Sequence, residues 1–356
     1  MKHLACLVLL LLALPAAAEP YLAVQQGYAC SACHFNASGG GLRSAFGTVF
    51  AENVMPSMRV PALGGIWSGT VFGRLSLGAD ARASWQRTGV PHADDVTSDG
   101  IDQIRAYAAL AIIRDRLDVY VDEALAPGNA RELEGYVRLR DAASGLYVKG
   151  GQFYLPFGWR LQDSTSFVRE VSGISMATPD NGVEIGYEKP GWSAQLDYTR
   201  GVANEGARGG HQVTGQMVWI RDDVRVGSAY SATQSLLGNR RAAALFAGLR
   251  TGQVAWLGEV DSVRDDGFAE GPRSITAALG EADWAFARGH NLKLTAEFHD
   301  PDRAVPHDAK TRFSVVYEWT PVPFVQLRAG FRRHAGIPQN DLDNRHLLFV
   351  ELHGFM

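Results

Sequence analysis

Residues 292–299 read Leu-Lys-Leu-Thr-Ala-Glu-Phe-His, with an apolar side chain at every second position and a polar one between. Successive side chains of a β-strand point to opposite faces, so this segment would have one apolar face and one polar face. Residues 313–319 and 325–332 repeat the same alternation. These segments are therefore predicted to be strands that separate an apolar environment from a polar one.

Segments of this kind fill the chain from residue 66 to residue 356, which is accordingly predicted to be all-β. We identify sixteen of them, and each is expected to form a hairpin with the next. The expected strands are residues 66–85, 100–113, 116–125, 132–140, 146–155, 181–189, 191–200, 210–220, 223–232, 240–250, 253–263, 274–287, 290–299, 310–319, 323–333 and 345–356.

The connections between these strands alternate in length. Those after even-numbered strands are short, such as residues 114–115, 141–145 and 251–252, whereas those after odd-numbered strands are longer and polar, such as residues 156–180 and 233–239. Outer-membrane barrels show this alternation, with short periplasmic turns and long external loops. The sequence therefore predicts a transmembrane antiparallel β-barrel of about 16 strands in the bacterial outer membrane, with both termini periplasmic.

A closed barrel suits the pattern because every backbone polar group must be hydrogen-bonded inside a lipid bilayer. The apolar faces would contact lipid, and the charged faces would line the lumen. A soluble β-sandwich is the alternative fold, although about 290 residues of continuous hairpins is long for one sandwich. Aromatic residues near strand ends match the girdles of a membrane barrel: Trp192, Tyr198, Trp219, Trp256, Trp284 and Trp319.

The N-terminus has the composition of a secretory signal, with Lys2, an apolar run over residues 4–15 and three alanines that end at Ala18. That run is too short for a membrane-spanning helix. The net charge of −4 is spread without long blocks, which argues against nucleic-acid binding. The expected domains are a signal peptide at 1–18, a short segment at 19–65 and the barrel at 66–356.

The short segment carries the motif Cys30-Ser31-Ala32-Cys33-His34. In such a motif the two thiols can add across the vinyl groups of a haem, and the adjacent histidine can bind the iron. A zinc site would need four nitrogen or sulfur ligands, and the only other cysteine, Cys6, lies in the leader. We therefore predict one covalent haem c on Cys30 and Cys33, with His34 as the proximal ligand. A simple disulfide is the alternative.

Residues 19–65 are too few to enclose a porphyrin alone, so the barrel wall is expected to complete the pocket. A barrel of this size leaves a lumen wide enough for such a plug. Leu42, Phe46, Val49 and Phe50 recur at helical spacing. They predict a short amphipathic helix that packs either on one haem face or simply on the barrel wall.

The sixth iron ligand has several candidates. Met55 and Met58 lie about twenty residues beyond the motif, and thioether ligation raises the haem potential. His353 is expected to face the lumen at the periplasmic end of the last strand. An open coordination position is the remaining alternative.

Charged side chains are expected to line the lumen. The acidic ones could guide a cation such as ferrous iron, or they could form a solvated wall balanced by arginine and lysine. They are Asp118, Asp122, Glu184, Glu188, Asp197, Glu259, Asp261, Glu297, Glu318 and Glu351. Residues 155–160 open the longest loop, which could fold inward as a constriction or remain an ordinary external loop.

Residues 21–50 resemble the N-terminus of the fused monohaem cytochrome–porins of the bacterial outer membrane. The resemblance rests on residues 27–34, Gly-Tyr-Ala-Cys-Ser-Ala-Cys-His, and on residues 45–50, Ala-Phe-Gly-Thr-Val-Phe. The best-known members of that family are iron oxidases. The run Gly39-Gly40-Gly41 and the following Arg43 depart from those iron oxidases. The resemblance implies thioether attachment at Cys30 and Cys33 and iron ligation by His34.

The first functional hypothesis is an outer-membrane electron-transfer protein. Its haem would carry electrons between an extracellular donor or acceptor and a periplasmic c-type cytochrome. If ferrous iron is the donor, the protein is an iron-oxidising cytochrome; otherwise it is an electron carrier. The second hypothesis is a diffusion porin whose haem segment acts as a plug, sensor or gate. A soluble periplasmic haem oxidoreductase is the third.

Overall fold

The structure is a computed structural model that describes residues 19–58, 60, 67–201, 210–236 and 238–356. The predicted signal peptide at 1–18 and the expected domain boundary at 65–66 lie outside these residues. No helix among the described residues is long and apolar enough to cross a membrane.

One antiparallel sheet contains every strand of the described residues. Strands β2 to β17 pair each with the next, and β17 pairs with β2, so sixteen strands form a closed barrel. In the closing pair, His346 lies opposite Gly89 and Phe355 lies opposite Asp80. The strands are β1 Thr70–Val71, β2 Leu75–Gly89, β3 Val96–Ile113, β4 Leu117–Ala126, β5 Arg131–Asp141, β6 Leu146–Tyr154, β7 Pro179–Lys189, β8 Trp192–Thr199, β9 His211–Arg221, β10 Val224–Ser235, β11 Gly238–Thr251, β12 Val254–Asp265, β13 Arg273–Ala287, β14 His290–Asp300, β15 Lys310–Val322, β16 Val325–Ala335 and β17 His346–Phe355.

The predicted barrel is confirmed, and several strand bounds differ from the prediction, of which two are instructive. The first strand begins later than residue 66, because positive φ angles at Gly69 and Gly73 turn the short β1 back onto the start of β2. The expected loop 233–239 is mostly strand, since backbone pairing continues until Ser235 lies opposite Gly238. Polar side chains do not prevent a hairpin from extending when the ladder hydrogen bonds continue.

The short turns and the longer connections lie at opposite ends of the barrel. We call the first the short-turn end, which contains residues 114–116, 190–191 and 288–289, and the second the long-loop end. The C-terminus of β17 lies at the short-turn end, where β2 begins. Four of the aromatic residues predicted for the interfaces are exposed on the outer wall: Trp192, Tyr198, Trp256 and Trp284.

Burial within the strands is inverted relative to a soluble protein. In β14 the side chains of Lys293 and Glu297 are only 6% and 5% exposed, whereas Leu294 and Phe298 are 40% and 38% exposed. The same inversion recurs along the other barrel strands. A β-sandwich would bury the apolar face, so the soluble alternative is wrong. An apolar outer surface around a polar interior is the arrangement of barrels that span membranes.

Among the described residues, four helices are not part of the barrel wall. They are α1 Pro20–Gln26, α2 Cys30–Cys33, α3 Ala45–Asn53 and α4 Phe167–Ser172. The first three belong to the N-terminal segment, and α4 lies in the connection between β6 and β7. A 3-10 turn, Asp341–Asn344, precedes β17.

Candidate functional site

Residues 19–58, which we call the plug, lie inside the barrel near the short-turn end. Lys293 binds Glu19 at 2.9 Å, the amide of Leu42 donates to the hydroxyl of Tyr120 at 3.2 Å, and further contacts involve β5, β7, β11 and β15. The plug is therefore attached around much of the wall. The further contacts include Asn36 with Glu134, Ser31 with Glu188, the carbonyl of Gln25 with Arg250, and Tyr21 with Glu318.

One helical turn brings the predicted haem-binding residues together. Cys30 and Cys33 are the ends of α2, and the amide of His34 donates to the carbonyl of Cys30 at 3.0 Å. Spacings of three and four residues place side chains on one side of a helical turn. The two thiols are not joined by a disulfide. Both sulfur atoms are therefore available for another bond.

A tight glycine loop returns the chain from His34 to the wall. Gly39, Gly40 and Gly41 have φ angles of 91°, 80° and 64°, and His34 then pairs with Arg43 as an isolated antiparallel bridge. Three successive positive φ angles are costly for residues with a Cβ atom. The glycine run, which departs from the iron oxidases, is thus a structural requirement of this loop.

A second glycine allows helix α3 to pack directly on the motif. A Cβ atom at Gly47 would overlap the carbonyl oxygen of Cys33. The hydroxyl of Ser44 caps the helix by accepting from the amide of Gly47 at 3.0 Å, and the same hydroxyl donates to the carbonyl of Ala32 at 2.6 Å. The start of α3 is therefore held against α2.

His34 is buried and has an unused nitrogen. Its side chain is 7% exposed, and its Nδ1 atom has no hydrogen-bond partner among the described residues. Burial, together with the nearby charge of Arg43, lowers the pKa of His34 to about 3. The imidazole is consequently neutral, which is the form that binds a metal. Burial also raises the pKa of the Cys33 thiol.

The motif lines a cavity between the plug and the wall, which we call the enclosed cavity. Both cysteines and His34 border it, and most of the remaining lining is apolar. Mainly apolar walls with a few polar groups are usual for the sites of small ligands and cofactors. The apolar lining includes Leu22, Ala23, Phe50, Trp159, Val218, Ile220 and Phe246.

The long connection between β6 and β7 folds inward and covers this cavity. The amide of Trp159 donates to Glu259 at 2.8 Å, and its indole nitrogen donates to the carbonyl of Gly258 at 3.1 Å. Gly158, Trp159 and Arg160 border the cavity, and Arg169 forms an ion pair with Glu259. Of the two alternatives for this loop, the structure has the inward one.

The candidates for the sixth ligand occupy different places. Met55 borders the cavity with His34, whereas Met58 and His353 do not. The side chain of Met58 is 51% exposed. His353 is buried in the wall, where its Nε2 lies 3.0 Å from Arg82 and its Nδ1 lies 3.2 Å from Gln326. Both ring nitrogens of His353 thus have other partners.

The four apolar residues that were predicted to share one face of a plug helix have different environments in the structure. Leu42 is buried against the wall, Phe50 borders the cavity, and Phe46 and Val49 are 46% and 53% exposed. Helix α3 instead buries its small residues, with Gly47 against Cys33. Close approach of two backbones therefore determines the rotation of α3. The side chains of Phe46 and Val49, with those of Tyr28, Val54 and Met58, are exposed at the plug surface, which we call the plug outer face.

A separate polar vestibule opens towards the long-loop end. It is lined by residues such as Gln86, Asp102 and Arg131, near the long-loop ends of their strands. Gly40 borders both the vestibule and the enclosed cavity. Only the glycine loop therefore separates the two spaces at this point.

The lumen carboxylates are largely neutralised by ion pairs. Pairs within 4 Å join Asp118 to Arg138, Asp122 to Arg105, Glu184 to Lys149, Glu259 to Arg169, Glu297 to Arg312, Glu318 to Arg328 and Glu351 to Arg82. Among the described residues, no group of three or more His, Cys, Asp or Glu side chains could hold a metal ion directly. The structure thus favours the balanced wall over a path for cations.

The residues around the motif fit a covalent haem. Free thiols at the required spacing, a neutral buried imidazole and an apolar cavity are the features that such a group needs. Cys30 and Cys33 would form the thioethers, and His34 would bind the iron. The sequence did not identify Trp159, Arg160 or Arg225 as cavity residues. They come from distant parts of the chain, and no local pattern marks them.

The sequence matches no protein-family model and no curated protein. The fold is similar to solved outer-membrane proteins. OmpT of Vibrio cholerae, as a loop L8 deletion mutant, has a TM-score of 0.64 at 10% identity, covering 79% of this chain and 99% of that one. An anion-selective porin from Comamonas acidovorans has a TM-score of 0.62 at 10% identity, and the match covers 79% of this chain and 98% of that one. OprB of Pseudomonas putida has a TM-score of 0.64 at 9% identity, covering 85% and 99%. At these identities the likeness establishes the porin-like barrel fold.

Proposed function

We propose that this protein is a haem-carrying barrel of the bacterial outer membrane, of the cytochrome–porin type. It transfers electrons between an extracellular donor or acceptor and a periplasmic c-type cytochrome. The observation that carries the proposal is the enclosed cavity, because Cys30, Cys33 and His34 all border it and the barrel wall completes it. The apolar outer surface supports the membrane location.

The haem supplies one-electron chemistry when it is bound, and the chain supplies its attachment and surroundings. Cys30 and Cys33 would hold the haem by adding their S–H bonds across its two vinyl groups, which would form two C–S bonds and place the thiol hydrogens on the neighbouring vinyl carbons. His34 enters this cavity neutral and offers a nitrogen lone pair. Phe50 and Trp159 exclude water from opposite sides of the cavity, on the plug and on the inward loop.

The position of the cavity suits electron transfer across a membrane. The hydrocarbon core is about 30 Å thick, so a redox centre must lie within it to shorten the distance. The vestibule brings external molecules to Gly40, at the border of the cavity. On the other side, the plug outer face offers an apolar surface to a periplasmic partner. This orientation assigns the short turns to the periplasm, as in other outer-membrane barrels.

Electron transfer is tested with the full protein in liposomes that enclose a soluble c-type cytochrome. Dithionite is added outside, and reduction of the enclosed cytochrome is followed by absorbance. We expect rapid reduction with the wild type and background rates when both Cys30 and Cys33 are alanine. Equal rates for the two proteins would contradict the proposal, because the reductant would then be entering through the pore.

We propose Met55 as the sixth ligand, because it is the candidate that borders the cavity with His34. The Met55→Leu variant is expected to lose the charge-transfer band of methionine-ligated ferric haem and to have a lower midpoint potential, since a thioether ligand raises that potential. Met58→Leu is the matched control and should leave both unchanged. Retention of the band in Met55→Leu would exclude this ligand.

A diffusion porin with a haem-bearing plug is the second candidate. The polar vestibule and the porin-like fold favour it, and one similar structure is described as an anion-selective porin. Its distinguishing property is solute flux through the full protein. The plug is hydrogen-bonded to several strands, and this attachment favours a lumen that is blocked to solutes.

A further inference from the structure

Two arginines at the enclosed cavity have no carboxylate partner. Among the described residues, no carboxylate oxygen lies within 4.0 Å of a side-chain nitrogen of Arg160 or Arg225. The Nη1 atom of Arg160 and the Nε atom of Arg225 are buried and donate no hydrogen bond among the described residues. Arg225 is 3% exposed, and both residues border the cavity.

The neutral contacts of these side chains leave their charges uncompensated. Arg160 donates to the hydroxyl of Ser38 at 2.5 Å, and Arg225 donates to the carbonyl of Tyr28. The Nη1 atom of Arg225 also lies 3.8 Å from the sulfur of Cys30. A buried charge without an opposite charge is unfavourable, so two such charges at one cavity indicate an anionic ligand.

Other buried arginines of the same lumen differ in this respect. Arg138 pairs with Asp118, and Arg312 pairs with Glu297. Arg328 contacts Glu318 and Glu351 at 3.1 and 3.2 Å. The folded barrel thus pairs these arginines even where they are fully enclosed. Arg160 and Arg225 differ from these three arginines in having no carboxylate within 4.0 Å among the described residues.

We propose that Arg160 forms an anion-binding subsite that receives a carboxylate group of the haem. The inference rests on the haem proposed above, and it adds the residue that neutralises and orients that group. A guanidinium group matches a carboxylate, and charge-assisted hydrogen bonds of this kind are short and strong. Arg225 lies beside Cys30, at the edge where the thioethers would form, and the carboxylates of a haem lie at the opposite edge, so the subsite is assigned to Arg160.

The test compares each variant in the haem-loaded protein and in the full chain refolded in detergent without haem. Arg160→Gln should lower the urea midpoint of the loaded protein, because a haem carboxylate loses its partner. The same substitution should raise the midpoint of the haem-free chain, because an uncompensated buried charge is removed. Arg225→Gln should raise the midpoint in both forms, because its buried charge would face no carboxylate in either of them.

Arg312→Gln is the matched control, since Arg312 is buried, paired with Glu297 and away from the cavity. It should lower the midpoint in both forms. A shift of the same sign in both forms for Arg160→Gln would overturn the subsite. A wild type that carries no haem would instead refute the proposed function, so the two failures are distinguishable.

The midpoint potential provides a second measurement that does not depend on unfolding. In the loaded protein, Arg160→Gln should lower the potential, because an unneutralised carboxylate stabilises the more positive ferric form. Arg312→Gln should leave the potential near that of the wild type. An unchanged potential in Arg160→Gln would count against the pairing.

Discussion

The double variant Cys30→Ala/Cys33→Ala should lose all covalent haem while keeping the barrel. The two thiols are the only cysteines after the predicted leader, so no other side chain can form a thioether. Barrel closure depends on backbone pairing between β17 and β2 and not on the cysteines. Intact-protein mass and haem staining of a denaturing gel measure the attachment. Heat-modifiable gel mobility measures the barrel.

Single variants separate attachment from ligation. Cys33→Ala should keep one thioether and a weaker stain, whereas His34→Ala should keep the mass increment and change the haem spectrum. A wild-type mature chain whose mass shows no covalent haem would contradict the haem proposal. Retention of haem by the double variant would show that the group is held elsewhere.

Removal of the plug, residues 19–58, should convert a barrel whose lumen is nearly blocked into an open channel. The plug, together with the inward loop, occupies the lumen near the short-turn end, and sixteen-stranded barrels without such fillings leave an aqueous pore. We expect single-channel conductance in planar bilayers to rise by about tenfold or more. The wild type is expected to show little conductance at the same voltage.

The deletion needs a control for barrel integrity. A variant that lacks residues 303–306, in the long-loop connection between β14 and β15, should retain the plug and the low conductance of the wild type. Both variants must show heat-modifiable mobility, which reports a closed barrel. High conductance in the wild type itself would favour the diffusion porin over the electron-transfer protein.

The local alternation of apolar and polar residues was sufficient to predict the barrel, because each strand separates lipid from a polar lumen. Such a strand shows a period of two whatever its neighbours are, as residues 292–299 illustrate. Strand ends were less accurate at Gly69 and Gly73, where backbone turns have no signature in the apolar pattern. The hairpin near Ser235 was longer than expected because ladder hydrogen bonds do not depend on polarity.

The Cys-x-x-Cys-His motif could be read from the sequence, but the residues that complete the cavity beside it could not. Cys30 and His34 are near neighbours in the chain, and their spacing alone carries the chemistry. Trp159 and Arg225 reach the same cavity from the inward loop and from β10. Their proximity depends on barrel closure, which a single sequence does not reveal residue by residue.

By itself, then, the order of residues determined the strand count, the polar interior and the reactive motif, because each follows from short-range spacing. Tertiary structure alone decided that the loop after β6 turns inward, that α3 presents Gly47 to Cys33, and that Met55 lies at the cavity while His353 does not. Within the part of the chain that the structure describes, it also left Arg160 and Arg225 without a carboxylate partner. These features arise from packing between segments far apart in the chain, where small differences in shape and charge select one arrangement.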